Sequence, residues 1–250
     1  MIEHLPLIVS AFFVGALVGL SGVGAGAVMT PLLILFFSVP PVVAIVTDLI
    51  FATLTKLVSA AIHSRRDSVD WIAARSIWKG SIPGVLIGIL VVIFFGTQFD
   101  FLLTFFLSVV LIFTSISMLG GVKLGGASAA KSSFFGGAFI GFSVATTSVG
   151  AGALGMVLLR RQIGDENPRK LVGTDIIHAI PIALIAGLSY AASGLMNFPL
   201  LGVMLMGSIP GALAGSLFSN KLSPEHLRRV LAAVLMVAAI SVLMKSFGVF

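Results

Sequence analysis

Long apolar stretches separated by short polar segments dominate the chain. A helix needs about 20 apolar residues to cross the hydrocarbon core of a bilayer, and most of the stretches have about that length. The apolar stretches are 5–37, 42–62, 77–96, 101–119, 133–158, 172–193, 200–218 and 227–247. This pattern predicts an all-α polytopic membrane protein.

Two of these stretches are interrupted by glycine. Stretch 5–37 is too long for one ordinary span, and it contains Gly-Leu-Ser-Gly-Val-Gly-Ala-Gly at 19–26. Stretch 133–158 has a matching interruption between Ser143 and Gly155. Because glycine weakens a continuous helix, we expect each stretch to be two short helices around a break, forming a broken or re-entrant hairpin.

The second half of the chain repeats the first. The matching segments, in order along the chain, are 23–27 with 149–153, 47–48 with 174–175, and 80–88 with 207–215. Collinear matches at an almost constant offset indicate an internal duplication. We therefore predict a single membrane domain with a first repeat at 1–119, a cytoplasmic linker at 120–132 and a second repeat at 133–250.

The basic residues indicate how the repeats are oriented, because Lys and Arg concentrate in cytoplasmic loops. In the first repeat the basic loop follows the second apolar stretch, with Arg65, Arg66, Arg75 and Lys79. In the second repeat the loop after the first stretch is basic, with Arg160, Arg161, Arg169 and Lys170. The second repeat is thus predicted to be inverted, with five helical segments in each repeat. Inverted repeats with discontinuous helices are a recurring transporter plan.

Composition excludes several classes of protein. Apolar residues make up 58% of the chain and charged residues 10%, against roughly 45–50% and roughly 25% in soluble domains. The formal charge of +6 is spread between the apolar stretches, so we expect it to face anionic lipid and expect no nucleic-acid partner. The chain has no cysteine, which excludes thiol catalysis and Cys-based metal sites; no metal or cofactor is expected.

The two glycine-rich breaks form the candidate substrate site. Backbone N–H groups without an intrahelical partner suit an anion, and nearby hydroxyls add donors. The candidate substrate-binding residues are Ser21, Gly22, Gly24, Gly26, Thr146, Thr147, Ser148, Gly150 and Gly152. The alternative is that glycines only allow helices to pack closely. We favour that alternative for Gly15, Gly19, Gly137 and Gly141.

Four ionisable residues stand out within the predicted spans: Asp48, Lys56, Asp175 and His178. Such residues are functional hypotheses by default. Asp48 and Asp175 either couple protons or hold the breaks through a polar network, and a purely structural hydrogen bond is an equal alternative. Lys56 either attracts an anion or snorkels towards the cytoplasm. His178 is close enough in sequence to touch Asp175, and it either shuttles protons or is simply packed.

The motifs resemble those of the TauE/SafE sulfite exporter family, and the resemblance covers nearly the whole chain. The resembling segments are 19–26, Thr47-Asp48-Leu49, Val69-Asp70-Trp71, 149–152 and Gly173-Thr174-Asp175. The resemblance implies a duplicated, multi-pass protein of the bacterial inner membrane, not an enzyme. It also implies export of a small sulfur-containing anion such as sulfite, sulfoacetate or a related organosulfonate.

The leading hypothesis is therefore anion export by alternating access around a midplane site. The expected partners are the small anionic substrate and the lipid bilayer, and a homo-oligomer is compatible with the sequence. Two alternatives stay open. Gly19-Leu20-Ser21-Gly22 fits the Gly-x-Ser-Gly pattern of an intramembrane serine hydrolase, for which His178 would be the base. The other alternative is a membrane subunit without transport activity.

Overall fold

The computed structural model describes residues 4–21, 26–63, 69–96, 98, 100–120, 129–164, 168–218 and 224–249. Within these ranges the regular elements are ten helices and no strands. The helices are α1 (Leu5–Ser21), α2 (Gly26–Phe36), α3 (Pro41–His63), α4 (Trp71–Phe95), α5 (Asp100–Met118), α6 (Ala129–Thr147), α7 (Ala153–Ile163), α8 (Pro168–Ala192), α9 (Phe198–Phe218) and α10 (Pro224–Ser246).

Six of the described helices are long and apolar enough to cross a membrane, namely α3, α4, α5, α8, α9 and α10. Large apolar side chains are exposed along them, for example Leu86 and Leu90 on α4, and such a surface suits lipid. The prediction of an all-α polytopic membrane protein is therefore confirmed. One boundary differs from the expectation, since α6 begins at Ala129, inside the segment 120–132 that was predicted as a linker.

Two helices, α2 and α7, are too short to span a bilayer. Each has 11 residues, so each is about 16 Å long at 1.5 Å per residue, roughly half of the ~30 Å hydrocarbon core. α7 carries Arg160 and Arg161 in its last turn, which suits an end at the membrane surface. A helix of this length that ends at the membrane surface would begin about halfway through the hydrocarbon core. Both glycine-interrupted stretches are thus pairs of helices, as the sequence predicted.

Glycines bring α1 against α9 and α4 against α6. A Cβ added to Gly15 would overlap the backbone of Ser208, and one added to Gly84 would overlap the backbone of Ala138. Contacts advance together along the paired helices, since Gly207 lies against Ile8 and Gly215 lies against Ala16. The two helices of each pair are therefore parallel. This geometry fits the helix-packing interpretation of these glycines.

The equivalent helices of the two halves pack against each other in opposite directions. Along α3 and α8, Ile50 contacts Gly187, whereas Lys56 lies beside Asp175. The helices α5 and α10 are also antiparallel, because Ser115 donates to the carbonyl of Ala232 while Phe101 contacts Phe247. α3 lies at the centre: 72% of its apolar segment is buried, against 28% for α10.

Two equivalent hydrogen bonds join the halves at opposite ends of α3 and α8. At the basic end, the backbone N–H of Asp70 donates to the Thr174 hydroxyl over 2.8 Å. At the other end, the N–H of Asn197 donates to the Thr47 hydroxyl over 3.3 Å. We call these the basic-end latch and the opposite latch. Only the basic-end latch has an ion pair among the described residues, with Lys170 Nζ 3.1 Å from Asp70 Oδ2.

Replacing Asp70 with alanine is expected to lower the free energy of unfolding by about 1 kcal/mol, because Asp70 caps α4. Its carboxylate accepts hydrogen bonds from the N–H groups of Ile72 and Ala73. Lys170→Met removes the partly exposed ion pair with Asp70 and should lower the free energy of unfolding by about 0–1 kcal/mol. Thermal unfolding of the protein in detergent measures both effects, and equal stability of wild type and Asp70→Ala would contradict the capping role.

The stabilisation by Asp70 depends on pH in a defined direction. Hydrogen bonds from the Ala73 N–H, together with the nearby Lys170 ammonium, hold the pKa of Asp70 below its ordinary value of 3.8. A carboxyl group with a lowered folded-state pKa stabilises the fold above its unfolded pKa, and this contribution is lost as the pH falls through the folded value. The difference between wild type and Asp70→Ala should therefore shrink only at strongly acidic pH.

Candidate functional site

The start of α2 meets the second break inside the bundle. Gly26, the first residue of α2, lies directly against Ser148 in the second break. A Cβ added to Gly26 would overlap the carbonyl oxygen of Ser148 and would also crowd Ser148 Oγ and Asp48 Oδ2. The start of α2 and the second break are therefore face to face, with no side chain of residue 26 between them.

A cavity of about 30 Å³ lies at this meeting point. Its polar lining includes Gly26, Lys56, Thr114, Ser148, Gly150 and Gly152, and apolar side chains of α3, α6 and α8 cover most of the rest. A water molecule needs about 10–15 Å³ of such space, so the cavity has room for about two waters. An anion with several heavy atoms would need the two breaks to move apart.

The backbone of the second break is shaped for this position. Gly150 has a φ of +121° and Ser148 a φ of +60°, which turns the chain sharply after α6. Gly152 precedes α7 and provides no side-chain cap, so no capping side chain covers the N–H groups of the first turn. The N–H groups of Leu154 and Gly155 in this turn donate to the Gly150 carbonyl, and the helix start contributes partial positive charge beside the cavity.

The predicted substrate-binding residues fall into three groups. Four of them line the cavity: Gly26, Ser148, Gly150 and Gly152. The hydroxyls of Thr146 and Thr147 donate instead to the α6 carbonyls of Phe142 and Ser143. Gly22 and Gly24 lie outside the described residues, and so does the side chain of Ser21.

Lys56 is the one cationic side chain among the described residues that line the cavity. It is only 5% exposed, so it does not snorkel out of the bundle. Its ammonium lies 3.6 Å from Asp175 Oδ2, which is too long for a hydrogen bond, and it has no hydrogen-bond acceptor within the described part of the chain. An ammonium group has three donors. The cavity thus contains an unused cationic donor.

Asp48 lies on the other side of Gly26. The hydroxyl of Thr30 in α2 donates to Asp48 Oδ2 over 2.6 Å, which ties the start of α2 to α3. The second oxygen, Oδ1, is buried without a partner among the described atoms. Asp48 therefore holds the first break in place while keeping one oxygen available.

His178 is buried behind the ion pair. Its Nε2 is 2.8 Å from the Ser81 hydroxyl of α4, and the Trp78 indole N–H donates to its backbone carbonyl over 3.2 Å. Neither His178 Nδ1 nor Asp175 Oδ1 has a hydrogen-bond partner among the described residues. No hydrogen bond therefore joins Asp175 to His178, although the two lie on the same face of α8.

Sequence reasoning missed several polar residues of this region, among them Thr30 and Thr114. Thr30 is a polar residue directly before Pro31 in an otherwise apolar helix, and that contrast was the available signal. Thr114 lines the cavity from α5, and its hydroxyl is buried without a partner in the described structure. Nothing in the spacing of Thr114 distinguishes it from the other hydroxyls of α5, so only the packing reveals it.

Comparisons with known proteins agree with this membrane-embedded architecture. The family model described as "Sulfite exporter TauE/SafE" matches residues 7–242. The chain is 32% identical to "Probable membrane transporter protein YjnA" of Bacillus subtilis (strain 168), over 95% of this chain and 98% of that protein. It is 27% identical to "Probable membrane transporter protein YdhB" of the same organism, over 96% and 99% of the two chains. No solved structure matches the chain.

The matched family and these relatives are described as transporters and not as enzymes. A serine hydrolase built on Ser21 and His178 is therefore set aside. Because the family match covers almost the entire chain, this protein belongs to the TauE/SafE sulfite exporter family of membrane transporters.

Proposed function

We propose that this transporter exports a small sulfur-containing anion, such as sulfite, sulfoacetate or a related organosulfonate, from the bacterial cytoplasm across the inner membrane. The observation that carries the proposal is the buried Lys56 ammonium, which lines the cavity between the breaks and has no hydrogen-bond acceptor in the described structure. The site comprises Lys56 with Gly26, Ser148, Gly150 and Gly152, and Ser21, Gly22 and Gly24 stay predicted substrate-binding residues on the basis of the sequence.

An anion satisfies each polar group that faces the cavity. Hydrogen bonds from an ammonium to a charged oxygen are stronger than neutral ones, and the start of α7 adds favourable partial charge. Sulfite and sulfonate groups carry three oxygens, so one oxygen can face Lys56 while another faces the backbone of the second break. The mostly apolar remainder of the lining suits a small solute more than a large polar one.

Transport would follow an alternating-access cycle in which the two halves rock around the cavity. Antiparallel packing of α3 with α8 and of α5 with α10 is what an inverted duplication produces when its axis lies in the membrane plane. The small cavity is consistent with an occluded form that must open to admit substrate.

A flux assay in proteoliposomes tests the proposal. Vesicles containing the purified protein are loaded in turn with labelled sulfite, sulfoacetate or 2-hydroxyethanesulfonate, and release is compared with that from protein-free vesicles and from vesicles loaded with labelled glycerol. We expect at least one sulfur anion to leave at least tenfold faster with protein present, with no change for glycerol. Release of every anion at the protein-free rate would contradict the proposed function.

A further inference from the structure

We propose that the protein is a proton–anion symporter. A monovalent anion binds at Lys56 and crosses the membrane together with one proton carried by Asp175. The proposal rests on the anion site described under the proposed function. It goes further by assigning the coupling ion, the residue that carries it and the charge of the preferred substrate.

Two groups can act as the counter-ion of Lys56, namely Asp175 and an anion bound in the cavity. On one side it lines the cavity. On the other side Asp175 Oδ2 is 3.6 Å away, close enough to neutralise the ammonium but too far to accept a hydrogen bond from it. An anion entering the cavity would therefore engage donors that Asp175 leaves free, and it would take over the role of counter-ion.

The energetic cost of an unbalanced buried charge then favours uptake of a proton. Lys56 and Asp175 are both buried, and as an ion pair they are neutral together. A bound monovalent anion would leave one uncompensated negative charge in the interior, which is strongly unfavourable. A proton taken up by Asp175 from the aqueous side where the site is open restores neutrality, and it is released with the anion on the other side. Proton and anion thus stabilise each other's binding, and this coupling is reciprocal.

The surroundings of Asp175 favour this residue as the proton carrier. From α3 the charged group facing it is Lys56, and from α7 it meets Gly155, which has no ionisable group. Its own helix contributes His178, whose Nε2 is bound to Ser81 of α4. Asp175 Oδ1 is buried without a partner in the described structure, so it is available for a proton. Asp48 also has one oxygen without a partner among the described residues, but its other oxygen accepts from Thr30 of α2, whereas Asp175 is the carboxylate beside Lys56.

The balance of charges in the site also defines the substrate class. One proton on Asp175 balances one negative charge on the anion beside Lys56. A divalent anion would leave one negative charge unbalanced in the bundle interior, so among the proposed substrates the site favours the singly charged hydrogen sulfite and 2-hydroxyethanesulfonate over doubly charged sulfite and sulfoacetate. Transport of such an anion together with a proton moves no net charge, and the membrane potential then has no effect on its distribution.

The equilibrium distribution of 2-hydroxyethanesulfonate across proteoliposome membranes tests the coupling. For an anion that crosses alone, a clamped potential of 100 mV shifts the inside-to-outside ratio about 50-fold, which corresponds to about 2.3 kcal/mol. For an anion that crosses with one proton, the ratio is independent of the membrane potential and shifts about tenfold per unit of pH difference across the membrane. We expect the wild type to follow the pH gradient. A wild-type ratio that follows the potential would overturn the proposal.

Variants identify the proton carrier. In Asp175→Asn we expect the ratio to follow the potential and to become independent of the pH gradient. Asp100→Asn, the same change at an exposed carboxylate at the start of α5, should behave like wild type. An equilibrium ratio does not depend on how much of a variant folds, which protects the comparison. If His178→Gln loses the pH response while Asp175→Asn keeps it, the assignment to Asp175 is wrong.

The two proposals fail in different ways. If the wild type moves no sulfur anion at all, the proposed function falls and the coupling falls with it. If the anion moves and its ratio follows the potential about 50-fold per 100 mV, the transporter function stands and the proton coupling alone is overturned.

Discussion

Gly26→Ala is expected to reduce anion flux at least tenfold while leaving folded protein in the membrane. The added Cβ would overlap the carbonyl oxygen of Ser148, so the start of α2 must move away from the second break. Backbone contacts cannot yield as a flexible side chain can, and a displacement of about 1 Å at a binding site is enough for such a loss. Flux per folded molecule in proteoliposomes, with folding checked by gel filtration in detergent, measures the effect.

A matched control exists on α9. A Cβ added to Gly202 meets nothing within 4 Å, so Gly202→Ala makes the same chemical change in open space and should retain wild-type flux. Gly150→Ala should resemble Gly26→Ala, because a φ of +121° strongly disfavours any residue with a Cβ. Full flux in both Gly26→Ala and Gly150→Ala would show that the breaks are not the substrate site.

Lys56→Met is expected to abolish flux and also to destabilise the fold. The change removes the ammonium that lines the cavity and leaves Asp175 as a buried carboxylate without its counter-ion. Breaking a buried ion pair by removing one partner typically costs about 3–5 kcal/mol. Thermal unfolding in detergent measures the loss of stability, and release of labelled sulfite from proteoliposomes measures the loss of transport.

The double variant Lys56→Met/Asp175→Asn separates the two effects. Since both buried charges are then absent, most of the lost stability should return, whereas flux should remain absent because the cavity has no cation. Lys79→Met, at an exposed position of α4, controls for the loss of a lysine as such. Recovery of flux in the double variant would mean that Lys56 supports the fold and does not bind the anion.

The helices and both breaks could be predicted from the sequence because their causes are local. A stretch such as 5–37 exceeds one membrane thickness and contains clustered glycine, so the chain must interrupt its helix there. Four of the nine predicted substrate-binding residues line the cavity, because their positions follow directly from the second break and from the start of α2.

The pairings within the site could not be predicted, since they depend on packing between distant parts of the chain. Lys56 and Asp48 lie on one helix, yet the partner of Lys56 is Asp175 on α8, 119 positions further along. The hydrogen bond from Thr30 to Asp48 likewise depends on the packing angle between α2 and α3. The hydroxyls of Thr146 and Thr147 were expected at the substrate but donate to their own helix, an outcome that composition alone cannot distinguish.

The two latches differ in one respect although their residues occupy matching positions in the two halves of the sequence. Asp70 and Asn197 occupy matching positions 127 residues apart, as do Thr174 and Thr47, but the position that matches Lys170 is Val43. Among the described residues, one end of α3 and α8 therefore has a hydrogen bond and an ion pair, and the other end has the equivalent hydrogen bond without an ion pair. Dissolved salt screens exposed charge pairs. Added salt should therefore weaken the basic-end latch and leave the opposite latch unchanged, so the two ends of the protein respond differently to ionic strength.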